Sequence, residues 1–390
     1  MTSRDTSSRR RFLALSAAAA TGLAGCTGGS SQQTQTTTTN ATTTGSGNET
    51  GVELFQGSGT LAEDRPELSG TRIEDLPALS GTLNVYLGGG EGGLYRNLLD
   101  RLRRVYPDFK PKVRSAPTAQ LANTIVEESR GGSSPADVFW AVDAGSLAYV
   151  AQKGLTAKLP SKVTEPVPDN FHPNDQWVGV AGRARSVPYN TEQFSAEDIP
   201  NKVAKFTQNA GLKGSMGWAP TYGAFQSFVT AMRLLRGEKP TKQWLRGMLK
   251  QNVTEYPNEF LVSNAVADGE IGAGFANHYY ALRVKAARPN APIDLAFTSN
   301  DAASLINVSG AEILKGSKKQ ELAANFIDHL LTVEAQEFFA TTTFAYPMIP
   351  GVPPVGGLPS IDELNPPELD LQKLSNLEPT LRLMREVGVL

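Results

Sequence analysis

Between residues 83 and 142 the sequence changes period again and again, and this alternation constrains the fold more than any other feature. "LNVYLG" (83–88) is a short apolar run of strand length. "LYRNLLDRLRRVYPDF" (94–109) has apolar residues at helical spacing, with Pro107 as a stop. "KPKVRSA" (110–116) reads as a second strand, and "TAQLANTIVEESRGG" (118–132) as a second helix capped by Thr118. "ADVFWAV" (136–142) is apolar after Asp137, as a strand covered on both faces must be. Strand, helix, strand, helix, strand predicts parallel strands joined by helical crossovers, an α/β fold.

A chain of 390 residues, 40% hydrophobic and 19% charged, can build two or three such cores. Its net charge of −2 argues against nucleic acid or an acidic membrane surface as the main partner. "GGGEGG" (88–93) satisfies the G-x-G-x-x-G dinucleotide pattern between a strand and a helix. Five glycines in six residues satisfy many patterns, however, and Asp108, beside Pro107, is a poor ribose-binding acid. No G-x-S-x-G elbow, P-loop or H-E-x-x-H is present, so no catalytic site is visible and the chain is read as a non-enzyme.

The first residues belong to export. "SSRRRFLALSAAAATGLAGC" (7–26) has basic Arg9, Arg10 and Arg11, then an apolar stretch too short to span a bilayer, then Cys26. Paired arginines before Phe12 and Leu13 resemble a twin-arginine signal, and "LAGC" resembles a lipobox. Cys26 is the single cysteine, which excludes an internal disulfide and marks it for lipidation. We expect a signal over 1–26 and a lipid-anchored protein on the outer face of the membrane or in the periplasm. Residues 27–81 are expected to be a flexible linker. Its first part, "TGGSSQQTQTTTTNATTTGSGNETG", offers almost nothing to a core, and "SGTLAEDRPEL" and "SGTRIEDLPAL" repeat at a spacing of eleven.

"GFANHYYALR" (274–283) places two phenols, Tyr279 and Tyr280, side by side. Read alone, they are amphipathic aromatics at a strand end, rings packed and hydroxyls wet. The segments around them change that reading. "WVGVAGRARSVPYNTEQ" (177–193), "GWAPTYGAFQSFVTAMRLLRG" (217–237), "NAVADGEIGAGFANHYYALR" (264–283) and "NVSGAEILKGSKKQELAANFIDHLL" (307–331) resemble the ferric-iron-binding members of the extracellular solute-binding proteins of ABC transporters. The resemblance runs from about Leu83 to Phe344.

It implies a bilobal α/β clamp of the periplasmic-binding-protein type that carries iron(III) to a membrane permease, with a carbonate or phosphate anion as co-ligand. Tyr279 and Tyr280 match the paired ligands, and Tyr222 matches a third ligand tyrosine found in some branches. Arg183, Gly223, Ala224 and Asn277 match positions at the anion. Iron(III) is a hard cation that favours anionic oxygen, so phenolates suit it. The best-known branch carries a histidine and a glutamate where this chain has Gly90, beside Glu91, and Val142, beside Asp143. Branches built on tyrosines and a bound carbonate do without both. Asn258 and Glu259 stand where relatives often have two asparagines near the anion, and a carboxylate there would repel one. His172, His278 and His329 form no metal-spaced cluster; His278 is expected to point away from the tyrosines and His329 to lie on a polar helix face.

Lobe one is expected over 82–183 and 308–350, lobe two over 184–307 and 351–390, in a monomer. The tail from 366 onward should pack as helix on lobe two. Two other readings stand beside this one. The same clamp could carry a phosphate-like anion or an organic cation, and an exported NAD- or flavin-dependent oxidoreductase would account for the glycines.

Overall fold

The computed structural model describes residues 51–89 and 92–390. The export signal, Cys26, Gly90 and Glu91 lie outside the described residues. Within them no helix is long and apolar enough to cross a membrane.

The alternation after residue 80 folds as the sequence predicts. Strands β1 (Gly81–Gly88), β2 (Phe109–Ala116) and β3 (Val138–Ala141) are parallel, with β1 between the other two. Helix α1 (Gly92–Val105) buries Tyr95, Leu98, Leu99 and Leu102, the i, i+3, i+4, i+7 stripe of an amphipathic helix. Helix α2 (Thr118–Arg130) starts one residue earlier than expected: Pro117 takes the cap position and Thr118 is the first helical residue. Helix α3 (Ala144–Gln152) is capped by Asp143, whose Oδ1 accepts from Ser146 N–H at 2.8 Å. A single turn, α4 (Ser161–Thr164), precedes the long strand β4 (Val178–Asn190).

The second half of the molecule contains β5 (Met216–Trp218), α5 (Gly223–Arg236), α6 (Glu238–Lys250), β6 (Thr254–Glu255) and α7 (Glu259–Ala267). It continues with β7 (Ala273–Gly274), β8 (Ala276–Asn277), α8 (His278–Ala287) and β9 (Ile293–Ala296). The chain then returns through β10 (Ile306–Ile313) to α9 (Gln320–His329) and α10 (Val333–Thr342), and ends with α11 (Ile361–Leu364) and α12 (Glu378–Val387).

Strand β4 joins the two halves. Its first part pairs antiparallel with β10, from Val178 opposite Ala311 to Ala184 opposite Ile306. From Arg185 onward it pairs with β8, β9 and β7 instead. The order β2-β1-β3-β10-β4 thus runs on into β4-β7-β5-β6. The chain crosses a third time where Tyr346 bridges Gly182, close enough that a Cβ on Gly182 would stand 2.9 Å from that of Tyr346.

The linker expected up to residue 81 ends sooner. From residue 51 the chain is a strap bound to the first half, with Phe55 and Ile73 buried. Arg65 donates to both carboxylate oxygens of Glu337 and to the carbonyls of Pro353 (2.6 Å) and Pro354 (3.3 Å). Arg72 stands 3.5 Å from Glu334. The cause is electrostatic: α10 carries two buried carboxylates, and the arginines of the two 11-residue copies are their counter-ions. Helix α12 packs on α5 and α6 as the tail was expected to, but the 3-10 turn Leu371–Ser375 before it packs on α3 in the other half.

Candidate functional site

A cleft of about 970 Å³ separates the two halves. Helix starts surround it, since α2, α3, α5 and α8 present their first residues or caps there: Thr118, Asp143, Tyr222 and Asn277. A helix N-terminus directs N–H groups without intrahelical partners outward and favours anions. Strand β4 contributes Arg183 and Arg185 to the same cleft.

The three tyrosines come together by two local events. Strand β8 ends at Asn277 and α8 begins at His278, so Tyr279 and Tyr280 lie in a first helical turn, not at a strand end. Their ring centroids are 4.4 Å apart. Tyr222 is the residue before α5, and its hydroxyl lies 2.5 Å from that of Tyr280. Tyr222 and Tyr279 line the cleft directly. The guanidinium of Arg283, one turn along α8, lies 4.9 Å from the Tyr279 ring centroid and 5.6 Å from that of Tyr280.

The residues expected at an anion, Arg183, Gly223, Ala224 and Asn277, line the same cleft. Gly223 and Ala224 open α5 on the cleft. Arg183 donates to the Val142 carbonyl and lines the cleft. Asn277 is buried; its Oδ1 accepts from Arg185 (3.2 Å) and its Nδ2 donates to the Tyr279 hydroxyl (3.3 Å).

Arg185 was not anticipated, although "GRAR" held the signal: residues two apart on a strand share a face. It is buried, pairs with Glu259 and lies over the Phe228 ring at 5.2 Å. This pair removes the difficulty raised by Glu259. The carboxylate is fully buried, neutralised by Arg185, and accepts the Asn277 backbone N–H at 2.9 Å. Asn258 caps α7, accepting from Leu261 N–H at 3.0 Å.

The histidines are structural. His278 Nε2 donates to the Phe344 carbonyl (2.7 Å) while Nδ1 accepts from Ala184 N–H (3.2 Å), and burial pushes its pKa down to about 4. Its ring stands edge-on to Tyr279, so it supports the pair from behind. His329 corrects the expected polar face: it is fully buried, donates from Nδ1 to the Asn325 carbonyl (2.7 Å) and meets the Tyr106 hydroxyl (3.1 Å). His172 contacts Asp169 and Asp175 in a loop. Among the described residues no group of three or more His, Cys, Asp or Glu side chains could hold a metal ion.

Residues 102–363 match the family described as bacterial extracellular solute-binding protein. The "Major ferric iron-binding protein" of Neisseria meningitidis is 32% identical over 287 residues, 72% of this chain and 86% of the relative. "Iron uptake protein A2" of Synechocystis is 31% identical over 276 residues, 67% of this chain and 79% of the relative. The crystal structure of iron-bound HitA from Pseudomonas aeruginosa superposes with a TM-score of 0.68 at 30% identity, over 79% of this chain and 99% of that one. These relatives are binding proteins of iron uptake by name, and the solved fold is the bilobal clamp.

Proposed function

The chain belongs to the bacterial extracellular solute-binding protein family, and from that premise we propose that it captures iron(III) between its lobes and passes it to an ABC permease. It is a binding protein, not an enzyme. Tyr222, Tyr279 and Tyr280 are the ligands in this reading. Arg183, Gly223, Ala224 and Asn277 hold a synergistic anion, carbonate or phosphate, and Arg185, paired with Glu259, holds Asn277 in place through its Oδ1.

One observation carries the reading: the 2.5 Å approach of the Tyr222 and Tyr280 hydroxyls beside a cleft lined by two arginines. Two bare phenolates so close would repel, so both can ionise only with a cation bound between them, their protons passing to water. Iron(III) supplies that charge, and three phenolates balance it.

Lobe one is then 82–183 with 308–350, together with the strap from 51, and lobe two is 184–307 with 351–390. Strand β4 and the crossings at β10 and Tyr346 serve as hinges. A twin-arginine signal would export the chain, and a lipid on Cys26 would hold the monomer at the extracellular face of the cell membrane or in the periplasm. Metal analysis and a visible spectrum of the purified protein test the reading. One iron per chain with a tyrosinate charge-transfer band is expected, and a colourless protein that binds no iron(III) would reject it.

A further inference from the structure

The strap that precedes β1 does more than cover one helix. Arg65 is largely buried, and its guanidinium has two kinds of partner. Nε and Nη2 donate to the Glu337 carboxylate on α10 (2.7–3.1 Å). Nη2 also donates to the Pro353 carbonyl (2.6 Å), and Nη1 to that of Pro354 (3.3 Å). Neither proline has an N–H, and both have a fixed φ, so this stretch is stiff and donates to no ladder. Two further N–H groups of the strap bind on either side of the guanidinium. Gly57 donates to Thr341 Oγ1 at the end of α10 (2.7 Å), and Ser69 donates to the Gly351 carbonyl (3.1 Å). A strap that only stabilised α10 would need the Glu337 pair alone.

The segment that Arg65 grips continues the third crossing and ends against the tyrosines. Val355, the next residue, is buried in an apolar cluster with Tyr279, Tyr280, Leu282, Ala340 and Phe344. Leu61 of the strap packs on the same cluster. Gly356 has a φ of 71°, and a Cβ there would stand 2.8 Å from Leu282 Cδ2, so the chain lies hard against α8. A continuous path thus runs from α10 through Arg65 and the two prolines to the helix that carries the tyrosine pair.

Opening a clamp turns its crossing segments relative to the lobe they leave. Arg65 spans α10 and the crossing segment, so that rotation must stretch or break its bonds. We propose that the strap is a brace on the hinge. Arg65 and Leu61 are its positioning residues: they hold the crossing and the tyrosine cluster in register and slow the release of iron(III). Lysine would not replace the arginine, because an ammonium is a point charge without the planar fork that reaches a carboxylate and two carbonyls together. The proposal rests on the iron reading for the cargo and on the strap's own contacts for the motion.

The test compares the full-length protein with Arg65→Lys, which keeps a counter-ion for Glu337, and with Leu61→Ala at a half-buried site. Hydrogen exchange on the iron-free proteins reads the brace. The Tyr346 and Gly182 amides donate to each other's carbonyls (2.9 and 2.7 Å). Both should exchange about tenfold faster in each variant, the scale of one lost hydrogen bond or of part of a buried Leu side chain, while amides of α6 keep their rate. Iron-loaded protein mixed with excess EDTA should lose its iron about tenfold faster in each variant, with the charge-transfer band unmoved because the ligands are intact. Wild-type exchange at the crossing in both variants, or an equal rise in α6, would overturn the brace. Faster exchange with iron loss at the wild-type rate would overturn its part in release. A wild-type chain that binds no iron would reject the iron reading, and the exchange rates would still decide the brace.

Discussion

The hydroxyl of Tyr222, at the entrance to α5, lies 2.5 Å from that of Tyr280, in the first turn of α8. The two residues are 58 positions apart, and both helices start at the cleft between the lobes. Phenylalanine at either position keeps the ring and removes the oxygen. Tyr279→Phe and Tyr280→Phe should leave the melting temperature nearly unchanged and weaken iron(III) binding by at least about a hundredfold, the scale of losing a charged contact. Tyr222→Phe should shift the charge-transfer band and weaken binding. An unchanged iron titration for Tyr222→Phe would reduce that residue to packing.

The strap gives a prediction about stability. Arg65→Ala leaves Glu337 buried without its counter-ion and should cost about 3 kcal/mol. The double variant Arg65→Ala, Glu337→Gln should recover much of the loss, since it removes the stranded charge. Urea denaturation checks both. If Arg65→Ala were as stable as the parent, the strap would be a passive linker after all.

Two buried groups give stability opposite pH slopes. His329 is held neutral, its pKa pushed down to about 4 by burial against an unfolded value of 6.5. The unfolded chain therefore binds more protons, and stability present above pH 6.5 is lost as pH falls toward 4. Glu312 on β10 is fully buried, neither carboxylate oxygen has a hydrogen-bond partner, and burial raises its pKa well above 4.5. Here the folded state keeps the proton and the unfolded state loses it, so stability falls as pH rises above 4.5. Glu312→Gln should melt higher than wild type at pH 8, with the difference shrinking toward pH 4.5. His329→Gln should flatten the acid limb. Parallel melting curves across this range for either variant would contradict the assignment.

Anchoring is tested at the first residues. Cys26→Ser should move the protein from the membrane fraction to the medium, and lysine at both Arg9 and Arg10 should block export. Retention of Cys26→Ser in washed membranes would argue against the lipid.

The α/β fold was legible in the sequence because it is local, whereas the tyrosine pair was singled out by the family resemblance and Tyr222 lies 58 positions from Tyr280. Period changes mark β1 to β3. What was not legible depends on distant pairs. Glu259 looked hostile to an anion because its partner Arg185 lies 74 residues away. Arg65 and Arg72 looked like linker because Glu334 and Glu337 come more than 260 residues later. His329 was placed on a polar face because helical spacing does not reveal Tyr106 closing over it. Leu374 carries no motif, and the packing of the 3-10 turn Leu371–Ser375 on α3 brings it to the cleft.

The most direct measurement of the central claim is iron release followed through the charge-transfer band as pH is lowered, with and without added bicarbonate. Free phenols have a pKa near ~10, so loading iron on tyrosinates must expel protons and acid must reverse it. The band should fade on mild acidification, at higher pH without bicarbonate and at higher pH again in Arg183→Ala. Iron held unchanged from neutral to mildly acidic pH, or bound with no band at all, would contradict a site built on Tyr222, Tyr279 and Tyr280.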